Sequence, residues 1–490
     1  MKTLLQAVLV LFLALANLPA ADNGAEEIQA LRQQLAQQRA QIEKLQSQLD
    51  EQGKVLDRLA QGAPAAAPPG VAVVAPAKPA PAAADAKSVN GFQFSGDFRL
   101  RLDSVTRTGN DIAAPMQNVR GRYRLRLNID KDLDPRFRFH LQLSTGPANN
   151  PVTLDQDMGG ITARHPFSIS EAYVDFRPNS KITLRGGRTA EVFADNTRFL
   201  WDDDVRFNGF SQIVALPLAK NTLGFTSLEL RAGEYILSNP AIYILPASSP
   251  FVSAGYDIGQ KVRGADLFHP GAVLKGNLGS RWSQQIFGGM ELYRNPNQIQ
   301  LASTVAGFPV LVNGALGLAL SGPLTGTGNG TTTSGGAMYS APSFRISHLG
   351  YRLERKGLKI GAREMPAWLD FQVSRNHGAA SLRDAFMASA NVGNVVKRGD
   401  VRALYQFSIK DANSMISQFT DDDLGTGSGV NIATHAIRFD LGLTRFLQWQ
   451  NILFIQNQRR ASNPSEQFFV PLGRGANATT RYQGQLAFTF

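Results

Sequence analysis

The stretch VRGRYRLRLNID, residues 119–130, places arginine at 120, 122, 124 and 126, with Tyr123, Leu125, Leu127 and Ile129 between and after them. A helix, with its period of 3.6, would scatter the four cations around its girth. A strand gathers them on one face and the apolar side chains on the other. One face of this segment therefore asks for water and charge, and the opposite face for hydrocarbon.

The same period-2 pattern recurs along the chain. In FQFSGDFRLRLD, Phe92, Phe94, Phe98, Leu100 and Leu102 oppose Gln93, Ser95, Asp97, Arg99 and Arg101. In RFRFHLQLS, Phe137, Phe139, Leu141 and Leu143 oppose Arg136, Arg138, His140 and Gln142. The chain ends RYQGQLAFTF, where Tyr482, Leu486, Phe488 and Phe490 oppose Arg481, Gln483, Gln485 and Thr489. A soluble sandwich alternates too. Here, however, the apolar face is rich in Phe and Leu, the polar face carries charge, and the last residue is an aromatic completing a strand. In lipid every backbone amide needs a partner, so a membrane-spanning sheet closes into a barrel with an apolar outside and a wet, charged inside. The expected fold is an all-β transmembrane antiparallel β-barrel of about sixteen strands, with eighteen possible.

The candidate strands are 91–103, 119–130, 135–145, 169–177, 181–190, 207–216, 222–234, 250–262, 281–294, 343–354, 360–376, 384–395, 400–412, 431–444, 447–459 and 478–490. Short turns such as DKDLDP, RPNSK and VKRGD alternate with longer loops. Residues 295–342 are apolar in part, but Pro309, Asn313 and several glycines favour a loop or an extra hairpin over a spanning helix.

Three segments precede the barrel. Residues 1–20 read as a signal peptide: Lys2, an apolar run of thirteen residues from Leu4 to Ala16, then small residues that permit cleavage after Ala16 or Ala20. Residues 25–60 carry a heptad seam of Ile28, Leu31, Leu35, Ile42, Leu45, Leu49, Leu56 and Leu59, interrupted by Gln38 and Gln52, which predicts an α-helical coiled coil. Residues 61–89 are mainly Ala and Pro and form a semi-stiff linker. The barrel then occupies 90–490.

The formal charge is +11. Residues 1–89 hold eight basic and eight acidic residues, so the whole excess belongs to the barrel segment. Export makes nucleic acid an unsuitable partner for that excess. With no cysteine there is neither a disulfide nor a Cys-ligated metal site, and no lipid-modified N-terminal cysteine. The six histidines are scattered, and no Gly-x-Ser-x-Gly elbow appears, so the chain reads as a non-enzyme without cofactor or metal.

Several stretches together resemble a family: GDFRLRL, RGRYRLRLNIDKDLD, LQLSTGPANNPVTLDQDMGG, FSISEAYVDFRP, LRGGRTAEVF, FLWDDDVRFNGF, DANSMISQFTDDDLG and the final LAFTF. They are similar to porins of Gram-negative outer membranes that carry a coiled coil before the barrel. The resemblance implies a water-filled outer-membrane channel, a homotrimer as in general porins, with the coiled coil in the periplasm.

Under that reading Arg99, Arg101, Arg120, Arg122, Arg124, Arg126, Arg136 and Arg138 form a basic channel wall. FADNTRFLWDDDVRFNGF is the third external loop, folding inward so that Asp202, Asp203, Asp204 and Arg206 narrow the pore and set a transverse field against the wall. An anion preference follows. Asp421, Asp422 and Asp423 read as an exposed loop rather than a calcium site. Tyr482, Leu486, Phe488 and Phe490 form the signal read by the barrel assembly machinery, and outer-membrane lipid and lipopolysaccharide are the surroundings. Two other readings stand beside this one. One is an envelope tether whose coiled coil contacts the cell wall while the barrel anchors it; the other is a substrate-specific anion channel.

Overall fold

The computed structural model describes residues 87–107, 115–147, 150–159, 164–195, 197–238, 264–296, 343–361, 363–421, 423, 429–459 and 478–490, with short pieces between 299 and 339. The signal peptide, the coiled-coil seam and nearly all of the linker lie outside the described residues.

Among the described residues sixteen long strands form one antiparallel ring. They are β1 Phe92–Arg107, β2 Met116–Asp132, β3 Phe137–Thr145, β4 Phe167–Asn179, β5 Ile182–Thr189, β6 Phe207–Thr222, β7 Phe225–Ser238, β8 Ala265–Leu278, β9 Trp282–Arg294, β10 Arg345–Ile360, β11 Arg363–Asn376, β12 Asp384–Gly393, β13 Val401–Lys410, β14 Ile432–Gly442, β15 Leu447–Gln458 and β16 Thr479–Thr489. Each pairs with its neighbours in sequence, and β1 pairs with β16, from Asp97 opposite Thr489 to Arg107 opposite Thr479. The sheet is closed.

Alternation decides the faces. In β1, Arg99, Arg101, Asp103 and Arg107 are buried within the ring while Leu102 is half exposed on the outside. In β16, Arg481, Gln483 and Gln485 are buried inside, and Tyr482 and Leu486 stand outside. Phe94, Phe210, Leu230, Phe268, Leu349, Phe371, Phe386, Tyr405 and Trp449 continue the apolar outer surface around the ring. Such a surface suits acyl chains and would be unfavourable in water.

The eighth strand corrects the sequence reading. It is Ala265–Leu278, whereas the expected 250–262 lies outside the described residues. Pro270 argues against a central strand, because it cannot donate to a ladder. Here the pairing of β8 with β9 skips from Phe268 to Gly271, so the missing N–H of Pro270 falls in a gap of the ladder.

At one end of the barrel, the turn end, connections are short. At the other, the loop end, three connections turn long segments inward among the described residues. Residues 146–159, between β3 and β4, lay a two-residue strand, Gln156–Asp157, against Arg122 and Tyr123 of β2. Residues 190–206, between β5 and β6, form a strap. It leaves the wall between Gly187 and Gly209, which are paired directly and both have positive φ (132° and 155°). A Cβ at either would run into the carbonyl oxygen of Ala172 or Glu234. The described part of the connection between β13 and β14, residues 411–421, 423 and 429–431, forms the third inward segment.

The strap carries its own apolar cargo. Phe199, Leu200, Trp201 and Val205 are buried with Phe207, Tyr235, Leu267, Tyr293, Ile346 and Met387 of the wall, and with Met415, Ile416 and Phe419 of the third segment. Hydrophobic burial thus holds the strap to the β6–β12 side of the interior.

Candidate functional site: the ion-paired interior

Arginines meet across the β1–β2 ladder. Arg99 is opposite Arg124, and Arg101 is opposite Arg122. Like charges directly opposite destabilise a sheet. The structure resolves this with a carboxylate from the first inward segment: Asp155 lies 2.6 Å from Arg99 Nη2, 2.6 Å from Arg101 Nη1 and 3.7 Å from Arg122 Nη1. Burial alone would push the Asp155 carboxyl up. Arg101, Arg99 and Arg122 outweigh it and hold that carboxyl well below the usual carboxylate range.

Two more carboxylates close the same wall. Asp103 is 2.9 Å from Arg120 and 2.9 Å from Arg481. Asp97 is 3.0 Å from Arg124 and 2.7 Å from Arg126. Of the eight expected wall arginines, seven face the interior. Arg138 pairs with Asp130 at 3.1 Å. Arg136 does not face it: it is exposed in the turn 133–136, where its N–H donates to Asp134 and its carbonyl accepts from Arg177. The two-residue alternation stops at that turn, so the period could not carry Arg136 into the wall.

The strap places its charges as follows. Asp204 Oδ2 accepts from Leu154 N at 3.0 Å, and Asp204 Oδ1 is 3.6 Å from Arg124. Arg206 donates from Nε to Glu171 of β4 and from Nη1 to the Asp203 carbonyl. Asp202 N donates to the Phe419 carbonyl at 2.9 Å. Acid and base therefore touch here, where a transverse field would need them to face each other across water.

The other acidic cluster requires a correction. Asp421 and Asp423 are buried at 0% and 5% exposure, not solvated on an outer loop. Asp423 is 2.8 Å from Arg481 and 3.1 Å from Arg198, and it accepts from Gln483. Arg198 also reaches Asp203 at 3.1 Å and Asp421 at 3.4 Å. Burial raises the Asp423 carboxyl, but Arg481, Arg101 and Arg198 pull it well below the ordinary range. Burial works against the Arg198 cation, and Asp203, Asp421 and Asp423 overcome that and raise it. Arg198 has φ +58°, unusual for a residue with a Cβ, and its three carboxylate partners hold it there.

The strap crosses the whole bore. Gln372 of β11 donates to Asp195 and to Thr197 Oγ1, at 2.6 Å and 2.9 Å. Gln406 of β13 donates to the Thr197 carbonyl at 3.1 Å. A segment rooted at β5 and β6 is thus fastened to the far wall.

A family model described as "Putative porin" matches residues 103–239. That span runs from Asp103 through the arginines of β2 and the strap to just beyond β7. No curated protein matches the sequence. Among solved structures, OprB of Pseudomonas putida is similar at 11% identity and a TM-score of 0.45, over 82% of this chain and 94% of that one. An anion-selective porin from Comamonas acidovorans is similar at 10% identity and a TM-score of 0.42, over 81% and 99%. OmpT of Vibrio cholerae, folded in vitro, is similar at 8% identity and a TM-score of 0.41, over 83% and 100%.

Towards the turn end the inward cations are more exposed, and one motif recurs there: a single carboxylate between two cations. Asp175 is 2.9 Å from Arg177 and 2.6 Å from Arg185. Glu229 holds Arg231 and Lys275. Asp440 is 2.8 Å from Arg438 and 3.9 Å from Arg402. Each trio keeps one net positive charge. The sequence reading holds Arg177, Arg185 and Asp155 only as parts of quoted stretches. Alternation flags which side chains point inward but not which distant carboxylate meets them.

Proposed function

We propose that the protein is an outer-membrane porin: a channel for passive diffusion of small polar solutes and ions, with anion preference and no enzymatic chemistry. The observation that carries this is the lining. A closed ring with an apolar exterior encloses carboxylates that are each shared by two cations, at Asp97, Asp175, Glu229 and Asp440. A bore so lined attracts anions and repels cations, since selectivity follows the charges along the path. The arginine wall and the strap with Asp202, Asp203, Asp204 and Arg206 form the narrowing.

The assembly unit is a homotrimer, the outer face meets lipid and lipopolysaccharide, and Tyr482, Leu486, Phe488 and Phe490 present the barrel-assembly signal. Residues 25–60 form a periplasmic coiled coil that reaches towards the cell wall. Single-channel recording in planar bilayers tests the proposal. Stepwise conductance in salt is expected, and insertion without conductance leaves the tether as the function.

A further inference from the structure

Just after β5 the strap meets two histidines inside the wall. His269 Nδ1 is 2.8 Å from Glu191 Oε1, and His269 Nε2 is 2.7 Å from His348 Nε2. The three side chains are buried. His269 comes from β8 and His348 from β10, with β9 between them. They meet because β9 carries glycine at that height: a Cβ on Gly289 would lie 2.8 Å from His269 Nε2 and 3.0 Å from His348 Nε2. Phe193 of the strap covers the pair, its ring 4.5 Å from His269 and 5.4 Å from His348.

The hydrogen bonds fix where the protons are. An Nε2···Nε2 contact holds one hydrogen, donated by one ring and accepted by the other. His348 Nδ1 is buried and has no hydrogen-bond partner among the described residues. A proton there would be an unsatisfied buried donor, so the proton of His348 sits on Nε2 and donates to His269 Nε2. The proton of His269 then sits on Nδ1 and donates to Glu191. Two protons occupy two rings, and each is used.

A third proton has no comfortable place. On His269 Nε2 it would point at the hydrogen of His348. Moving that hydrogen to His348 Nδ1, or adding the new one there, leaves a buried N–H without an acceptor. Of the other polar groups facing the site, Glu291 alone can take a proton while the contacts of Glu191, His269 and His348 stay as they are. From β7, Tyr235 Oη accepts from Val192 N and Arg231 donates to the Val192 carbonyl. From β9, Glu291 is buried and accepts from Tyr293 Oη at 3.0 Å. Trp201 of the strap lies 6.4 Å from His269, ring to ring. Protonating Glu191 instead would remove the charge that His269 donates to. Beyond a proton on Glu291, acid therefore acts towards separating Glu191 and Phe193 from the wall.

We infer that Glu191, His269 and His348 form a proton-operated latch that holds the strap across the bore at neutral pH and releases it in acid, so that the channel conducts more at acid pH. The inference rests on the channel reading only for its electrical readout. The strap movement itself is independent of conduction.

The test uses the full chain folded in detergent and inserted in bilayers. Conductance is recorded from about pH 7 down to about pH 4, the interval in which histidine and glutamate ordinarily change charge. In parallel, Trp201 emission is followed in a chain whose Trp282, Trp368 and Trp449 are changed to Phe. The wild-type protein is expected to show a rise in conductance and a red shift of Trp201 over the same interval. His348→Gln keeps an N–H donor for His269 but cannot take a further proton, and it should move both changes to more acid pH while matching wild type at neutral pH. His140→Gln, at the other buried histidine site near the strap, should keep them. A wild-type protein with no Trp201 shift, or a His348→Gln chain that shifts like wild type, overturns the latch. Should His348→Gln fail to fold, Glu191→Gln serves as the second variant: an acid midpoint the same as wild type overturns the latch. A Trp201 shift in a chain that conducts at no pH supports the latch and refutes the channel.

Discussion

The carbonyl of Thr197 accepts a hydrogen bond from Gln406 at 3.1 Å, and this contact ties a strap rooted between β5 and β6 to β13 on the opposite side of the ring. Gln372 adds a second tie from β11 to the same residue. The far end of the strap is thus tied to the wall by two glutamines, one of which also donates to the Asp195 carboxylate, while the rest is held by buried apolar side chains and ion pairs. Gln372→Leu with Gln406→Leu should leave the barrel folded and cost about 1 kcal/mol per lost bond. The expected readout is increased open-channel noise with a larger mean conductance in bilayer recordings.

Arg122 and Arg124 supply positive charge to the narrowing and also neutralise Asp155, Asp157, Asp97 and Asp204. Changing both to Ala leaves those carboxylates with fewer partners. Selectivity should move towards cations, read as a shift of the zero-current potential. Stability should fall by about 3 kcal/mol, because removing one member of a buried ion pair strands the other. Unchanged selectivity would place both side chains off the ion path.

Acid should loosen the inward segments in a window separate from the latch. Asp155 and Asp423 are held well below the usual carboxylate range by their arginines. A depressed carboxyl contributes stability that is complete above its unfolded value, about 3.9, and is lost as pH falls through the folded value. Thermal unfolding should therefore hold level down to about pH 5 and decline below about pH 4. Asp155→Asn should flatten that decline and lower stability at neutral pH.

Leu486 and Gln485 are neighbours in β16 on opposite faces: the first is 37% exposed on the outside and the second 2% exposed inside. Leu486→Arg should cost about 2–4 kcal/mol in a lipid bilayer if it lies near the midplane. Equilibrium refolding from urea into vesicles measures this. A negligible cost would place the strand outside the hydrocarbon.

The sequence made the barrel legible because period-2 alternation is local. Arg99, Arg101, Arg122 and Arg124 could be assigned to one face from their own neighbours, and the number of strands followed from counting such stretches. The eighth strand escaped because Pro270 and Gly271 interrupt its pattern, and only the ladder gap opposite β9 explains how they fit. The inward path of the strap came from resemblance rather than from residues. The partners of its charges came from neither. Asp155 meets Arg101, and Asp423 meets Arg481, across long separations in sequence that no local pattern encodes. The Asp421–Asp423 run looked like a solvated loop because acidic runs usually are; buried arginines reverse that outcome here. The His269–His348 pair was invisible for a related reason, since it depends on Gly289 of the strand between them.

The central claim is that the positive lining faces an aqueous path. The zero-current potential across a planar bilayer holding the purified protein under a potassium chloride gradient tests this most directly. A potential of the sign set by chloride flux is predicted, and a potential of the sign set by potassium flux would contradict it.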